Sequence, residues 1–351
     1  MHLRLVGRGA LAAALLAAPA AAQTTDHAAM AQRALERHIL PGFERLNAAA
    51  VALDTAAKTA CAGEGPIDAG PLKVAYGEAF DAWAGIQHIR FGPAEEDNNG
   101  FGIEFWPDTK GSTPRTLAAL VKDEDPNVDD AAAFAKESVA ARGLMALDQL
   151  LYDPAAAPIE AGSYGCRLVE AITADMVATT ARMLGRWRDP WGGFLTSAGA
   201  ADNPVYLAPE ESTKALYSAL SDGLQADIDL RLGRPLGTFD KPQPRRAEAW
   251  RSGRSLPNLL ASVAGMQALF ETVFAPAIGA DDAQVVRNSL DGFANAAANV
   301  AAPIDVEVAT PQGRIHVEAL QTALGRVQTE VASHVGPVVG VTSGFNAMDG
   351  D

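Results

Sequence analysis

Apolar residues along this chain recur at spacings of three and four almost throughout, and no stretch sustains an apolar/polar alternation, so helices are the only regular element it can bury in quantity. The clearest stripe is Ile39, Phe43, Leu46, Ala50, Leu53, Ala57 and Cys61, one face of a long amphipathic helix that Pro41 either kinks or starts. The same periodicity predicts helices over 71–90, 131–152, 164–187, 209–232, 245–274, 282–300 and 311–334. They are separated by Asp153-Pro154, Asp189-Pro190, Asn203-Pro204, the 233–244 stretch and Ala302-Pro303. An all-α protein follows. At roughly 330 residues without its leader the chain exceeds what one core serves comfortably, which predicts two helical bundles in series. The N-terminal bundle takes 23–160 and the C-terminal one 161–351, with the boundary near 155–163 and the helix after Cys166 crossing toward the second.

Residues 1–22 read as a cleavable signal peptide: Arg4 and Arg8 precede a short apolar run from Ala10 to Ala18, followed by Ala20-Ala21-Ala22. The run falls short of the roughly 20 residues a spanning helix needs. The mature chain is therefore expected to be periplasmic, or exported to the cell envelope, with no integral membrane segment. Loss of the two arginines takes the formal charge from −15 to −17, which argues against nucleic acid or an anionic lipid surface as a partner. Cys61 and Cys166, the only cysteines, are expected to pair in an oxidising compartment, closing a loop of about 105 residues.

No His-Glu-x-x-His, Gly-x-Ser-x-Gly, phosphate loop or dinucleotide fingerprint is present, and no two of the six histidines stand at i, i+3 or i, i+4. What remains is concentrated in three places. On a helical wheel His88 shares a face with Gly77, Asp81 and Ala84, opposite Trp83, Ile86 and Arg90; it is either a ligand or a structural imidazole. In the long segment that follows, Glu104, Trp106, Asp108 and Lys110 sit among Phe101, Phe105 and Pro107, which marks a folded loop able to present carboxylates to a cation or to close internal ion pairs. Glu95 to Gly100 reads as a solvated tip. Asp148 falls in an apolar stripe with Phe134, Ala141, Met145 and Tyr152, so it needs a cation, a hydrogen-bond network or a metal. Finally, Arg245, Arg246, Arg251 and Arg254 cluster on one expected helix with Glu248 and Trp250. Arg254 there faces the same way as Trp250 and Asn258, placed to meet Asp148, Glu104 or a ligand carboxylate.

In their order these residues resemble the imelysin family of bacterial envelope proteins: Ile39-Leu-Pro41, Arg90-Phe-Gly-Pro93, Phe105-Trp-Pro-Asp108, the run from Arg142 to Tyr152, the run from Arg246 to Leu256, and the tail from Gly344. The resemblance implies two related helical bundles with a site between them, and relatives concerned with iron uptake or metal binding outside the inner membrane. It also implies a metallopeptidase signature, Gly-x-His-x-x-Glu, at whose positions this chain reads Gly143-Leu-Met145-Ala-Leu-Asp148. A thioether is a poor ligand for zinc or ferric iron, and peptidase chemistry is not the expectation.

The resulting expectation is a binding protein, not an enzyme. It would hold a divalent or ferric ion, or a metal-linked ligand, between the bundles through His88, Glu104, Asp108 and Asp148. Trp106, Lys110, Trp250 and Arg254 would line the site, and an envelope transport component would be its partner. A metal-dependent peptidase and a metal-free scaffold or polysaccharide-binding module are the alternatives.

Overall fold

The computed structural model describes residues 25–341; the 1–22 leader and the tail from Gly344 lie outside the described residues. Among the described residues the only strands are Gly65–Pro66 and Glu160–Ala161, an antiparallel pair beside the disulfide, and the remaining regular structure is helical.

The first predicted stripe is realised almost without loss. His27–Ala34 runs through one wide π-helical turn, Leu35–Ile39, into Leu40–Cys61. Pro41 lies just past that turn, where the missing amide proton breaks the regular ladder and the wider turn absorbs the fault. Ile39, Phe43, Leu46, Ala50, Leu53 and Ala57 are all buried. They face the Gly70–Ala84 and Tyr164–Arg186 helices. Cys61 and Cys166 are bonded, with a Cα–Cα distance of 5.7 Å, and tie the end of one helix to the start of the other.

The helix after Cys166 therefore lies along the N-terminal helices. It is His27–Ala34 that reaches the other half, packing on Pro209–Ala226 and on the π-helical turn Phe270–Phe274. The C-terminal half is completed by Ala280–Ala297 against Pro311–His334. Ser255–Leu269 meets Gly70–Ala84 along the seam, where Gly265 sits directly on the Gly85 backbone and a methyl group has no room. Ser255–Ile278 is long and apolar enough to cross a membrane by composition, yet half of its apolar window is buried in the protein.

Three predicted helices are shorter than their periodicity suggested, each at a segment that carries polar groups. The one expected over 71–90 ends at Ala84, and residues 85–90 turn away. The one expected over 131–152 breaks into Ala131–Phe134, a 3-10 turn at Val139–Ala141 and Gly143–Tyr152. Gly143 has φ 69°, and its α-carbon abuts the Ile103 carbonyl too closely for any side chain. The one expected over 245–274 begins at Ser255, so the arginine cluster lies on an irregular loop, with Ala249 at φ 45°.

Candidate functional site

Two polar centres and one imidazole pair are buried where the halves meet. The largest centre is built around Arg231, in the π-helical turn that follows Pro209–Ala226. Its Nε and Nη2 donate to the two oxygens of Glu248, at 3.0 and 2.6 Å, and its Nη1 donates to Asp227. Asn258 Nδ2 donates to Glu248 Oε2 at 2.8 Å. Glu104 reaches in from the N-terminal half, only 6% exposed. Its Oε2 accepts from Trp83 Nε1 at 2.7 Å, and its carboxyl is hydrogen-bonded to that of Glu248.

Two carboxyls in contact cannot both ionise cheaply away from water. Burial, then the neighbouring Glu248 charge, pushes Glu104 well above the usual carboxylate range. Burial acts on Glu248 in the same direction, but the Arg231 guanidinium outweighs it and leaves that group lowered. Of the two, Glu104 is thus the carboxyl that holds a proton more tightly and Glu248 the one that ionises first. Glu104 Oε1 meets no hydrogen-bond donor.

Glu104 also floors a cavity of about 290 Å³ walled by the segment from Trp83 to Glu104. Trp83, Ala94 and Glu104 form its buried part, and Arg90, Glu95, Asn98 and Phe101 stand exposed at its mouth. Trp106, on the far side of Glu104, lies near Arg231, whose guanidinium carbon is 5.9 Å from the ring centroid.

The second centre surrounds Asp148, which is fully buried. Its Oδ1 accepts from the Ser252 backbone N–H at 3.2 Å and from the Tyr76 hydroxyl at 3.3 Å, and Arg251 Nη1 lies 4.0 Å from Oδ2. Burial raises its pKa against these partners. Trp250 is stacked against Arg251, 4.5 Å from guanidinium carbon to ring centroid. Arg254 bonds Asn258 Oδ1 at 3.1 Å and pairs with Asp81, not with Asp148 or Glu104.

His88 is buried as well, but its neighbour is another imidazole: His38 Nε2 and His88 Nε2 are 2.8 Å apart. Burial and then Arg45 lower His38 to about 4, and burial together with His38 lowers His88 well below the usual range. Both rings are neutral at physiological pH. Asp108 turns back on the backbone that follows it: its two oxygens accept backbone N–H groups of Lys110, Ser112 and Thr113, which holds it below the usual range despite partial burial. Lys110 takes part only through that backbone group and is exposed.

The four residues expected to ligate a metal thus occupy four separate networks. Among the described residues no three His, Cys, Asp or Glu side chains are grouped to hold a metal ion. The set does not fit a bare cation, because Asp108 has committed its lone pairs to backbone amides and His88 faces His38. The sequence reading found Glu104 and Asp148 by their surroundings. It missed Arg231, Asp227 and His38 and gave Glu248 no role of its own. Asp227 and Arg231 stand at i, i+4, a legible pair, but nothing local announces that the pair is buried.

Residues 39–331 match the sequence model of the family described as imelysin. The chain is 22% identical over 323 residues to "Iron-regulated protein A" of Synechococcus elongatus, spanning 87% of this chain and 85% of that one. Among solved structures, an imelysin-like protein from Psychrobacter arcticum superposes with a TM-score of 0.75 at 18% identity, covering 92% of this chain and 99% of its own. A putative iron-regulated protein A precursor from Parabacteroides distasonis gives a TM-score of 0.61 at 12% identity, with 87% and 95% covered.

Proposed function

The chain belongs to the imelysin family, and we propose that within it this protein is a non-enzymatic, exported binding protein of iron-related physiology that takes a metal-linked ligand, not a bare ion, into the cavity beneath Trp83. The observation that carries the reading is Glu104: a carboxyl 6% exposed that forms the floor of a 290 Å³ cavity and is held by groups from both halves of the molecule. Ligand sites of this kind combine apolar walls with a few convergent polar groups. The iron connection rests on the printed names of the two iron-regulated relatives, and the export on the leader and on the word precursor in one of those names.

Against peptidase chemistry stands the residue pattern: Met145 occupies the signature's histidine position, and Asp148 is closed in by Tyr76, Ser252 and Arg251 with no imidazole beside it.

Tryptophan fluorescence tests the proposal, with ferric citrate, ferrioxamine B, and Fe2+, Cu2+ and Zn2+ alone as probes. A ferric chelate is expected to quench saturably, with the response lost in Trp83→Phe and Glu104→Ala and retained in His88→Ala. Binding of the bare ions alone that depends on His88 and ignores Glu104, or no binding by any probe, overturns it.

A further inference from the structure

The Arg231 centre is short of positive charge. Glu104, Glu248 and Asp227 converge on a single guanidinium, since the nearby Arg254 is engaged by Asn258 and Asp81. Asp227 Oδ2 and Glu104 Oε1 are buried without a donor. Uncompensated buried charge is costly, so the centre favours a proton on Glu104, whose side chain lines the cavity.

We propose that the cavity receives an ammonium group of the ligand, which replaces the proton shared by Glu104 and Glu248. The inference rests on the reading of the cavity as a ligand site and names the chemistry at its deep end. The exchange balances: the Glu104 O–H bond breaks, the proton leaves to solvent, and the carboxylate accepts N–H bonds from the incoming cation.

Acceptor count favours an ammonium over a metal ion. Glu248 has both oxygens engaged by Arg231 and Asn258, and Glu104 Oε2 already accepts from Trp83. One free carboxylate oxygen is too few for a hard divalent ion, which wants about six oxygen ligands. It is sufficient for an ammonium group whose other N–H bonds go to water and whose charge faces aromatic rings. Trp83 and Phe101 supply those rings.

The charged groups that surround Glu104 are compatible with the exchange. Glu248 and Arg231 act on it from the C-terminal half, and Asp227 is paired with Arg231. Behind Gly102, Arg142 is neutralised by a bidentate pair with Asp175. At the mouth the exposed Arg90 and Glu95 carry opposite charges.

Calorimetry on the purified protein with n-pentylammonium, run in buffers of different ionisation enthalpy, reads the exchange directly. Proton release on binding is expected, with affinity rising as pH is raised while Glu104 still holds its proton. Glu104→Gln, whose amide can still accept from Trp83 and donate to Glu248, should fold normally, lose the proton release and weaken binding at least tenfold. Ferrioxamine B should bind at least tenfold tighter than its neutral N-acetyl form.

Binding of pentylammonium without proton release, equal binding by the neutral form, or no pentylammonium binding overturns the proposal. Failure of the ammonium alone, with a ferric chelate still quenching Trp83, leaves the cavity reading intact. Proton-coupled binding of pentylammonium with every chelate refused sustains the ammonium subsite and removes the metal-linked ligand.

Discussion

Burial turns single ionisable side chains into statements about pH. Asp148 has its pKa raised by loss of water, so the folded state holds that proton more tightly than the unfolded chain does. Its contribution is favourable below the unfolded value near 3.8 and is lost as pH rises through the raised folded value. Asp148→Asn, which keeps the shape and an acceptor for the Ser252 N–H, is therefore expected to gain stability relative to the parent as pH is raised from 4 to 8. Urea melts at the two pH values check this; a variant that loses ground with rising pH would mean that Arg251 dominates instead.

The imidazole pair behaves in the opposite sense. His38 stays neutral in the fold down to about 4 while the unfolded chain protonates near 6.5, so stability falls as pH drops through that window. The loss is on the order of 3 kcal/mol at the acid end for His38 alone. In His38→Gln the acid-induced decline between pH 6.5 and 4 should be visibly shallower. An unchanged acid limb would show that other groups set it.

Among the elements, the break before Gly143–Tyr152 shows how one position can override periodicity. A helix extended upstream through 131–142 would satisfy the apolar stripe, but the backbone passes Ile103 so closely at Gly143 that only glycine fits, and φ there is positive. Gly143→Ala is expected to cost about 3 kcal/mol from left-handed strain and overlap, measured as a drop in urea midpoint at unchanged slope. Wild-type stability in that variant would mean that the backbone at Ile103 moves aside easily. The arginine loop is a second case. Residues 247–254 read as a helix because Trp250, Arg254 and Asn258 recur at four, yet irregular backbone there lets Glu248, Ser252 and Arg254 turn to three different partners. A regular helix would have fixed their directions in advance.

At the scale of the whole molecule, one disulfide joins the two longest helices of the N-terminal half across 105 residues of sequence. Loop closure of that length stabilises by about 5 kcal/mol in the chain-entropy account. The Cys61→Ser/Cys166→Ser double variant should lose about that much in chemical denaturation, with the parent showing the same loss under reductant. Equal stability of the two would place the constraint elsewhere, in the packing of Leu40–Cys61 against Tyr164–Arg186.

Helix content, the buried stripe from Ile39 to Cys61 and the cysteine pairing were legible from the chain alone, because each follows from local spacing or from there being only two cysteines to pair. The need of Glu104 and Asp148 for partners was legible too, since a carboxylate among aromatic or aliphatic neighbours must be compensated. Which partners they took was decided by tertiary structure. Arg231, Glu248 and Ser252 come to these carboxyls from the other half of the sequence, and His88 finds His38 through a turn that ends its helix early. Charge compensation acts through space at a few ångströms, whereas sequence pattern reports only neighbours along the chain.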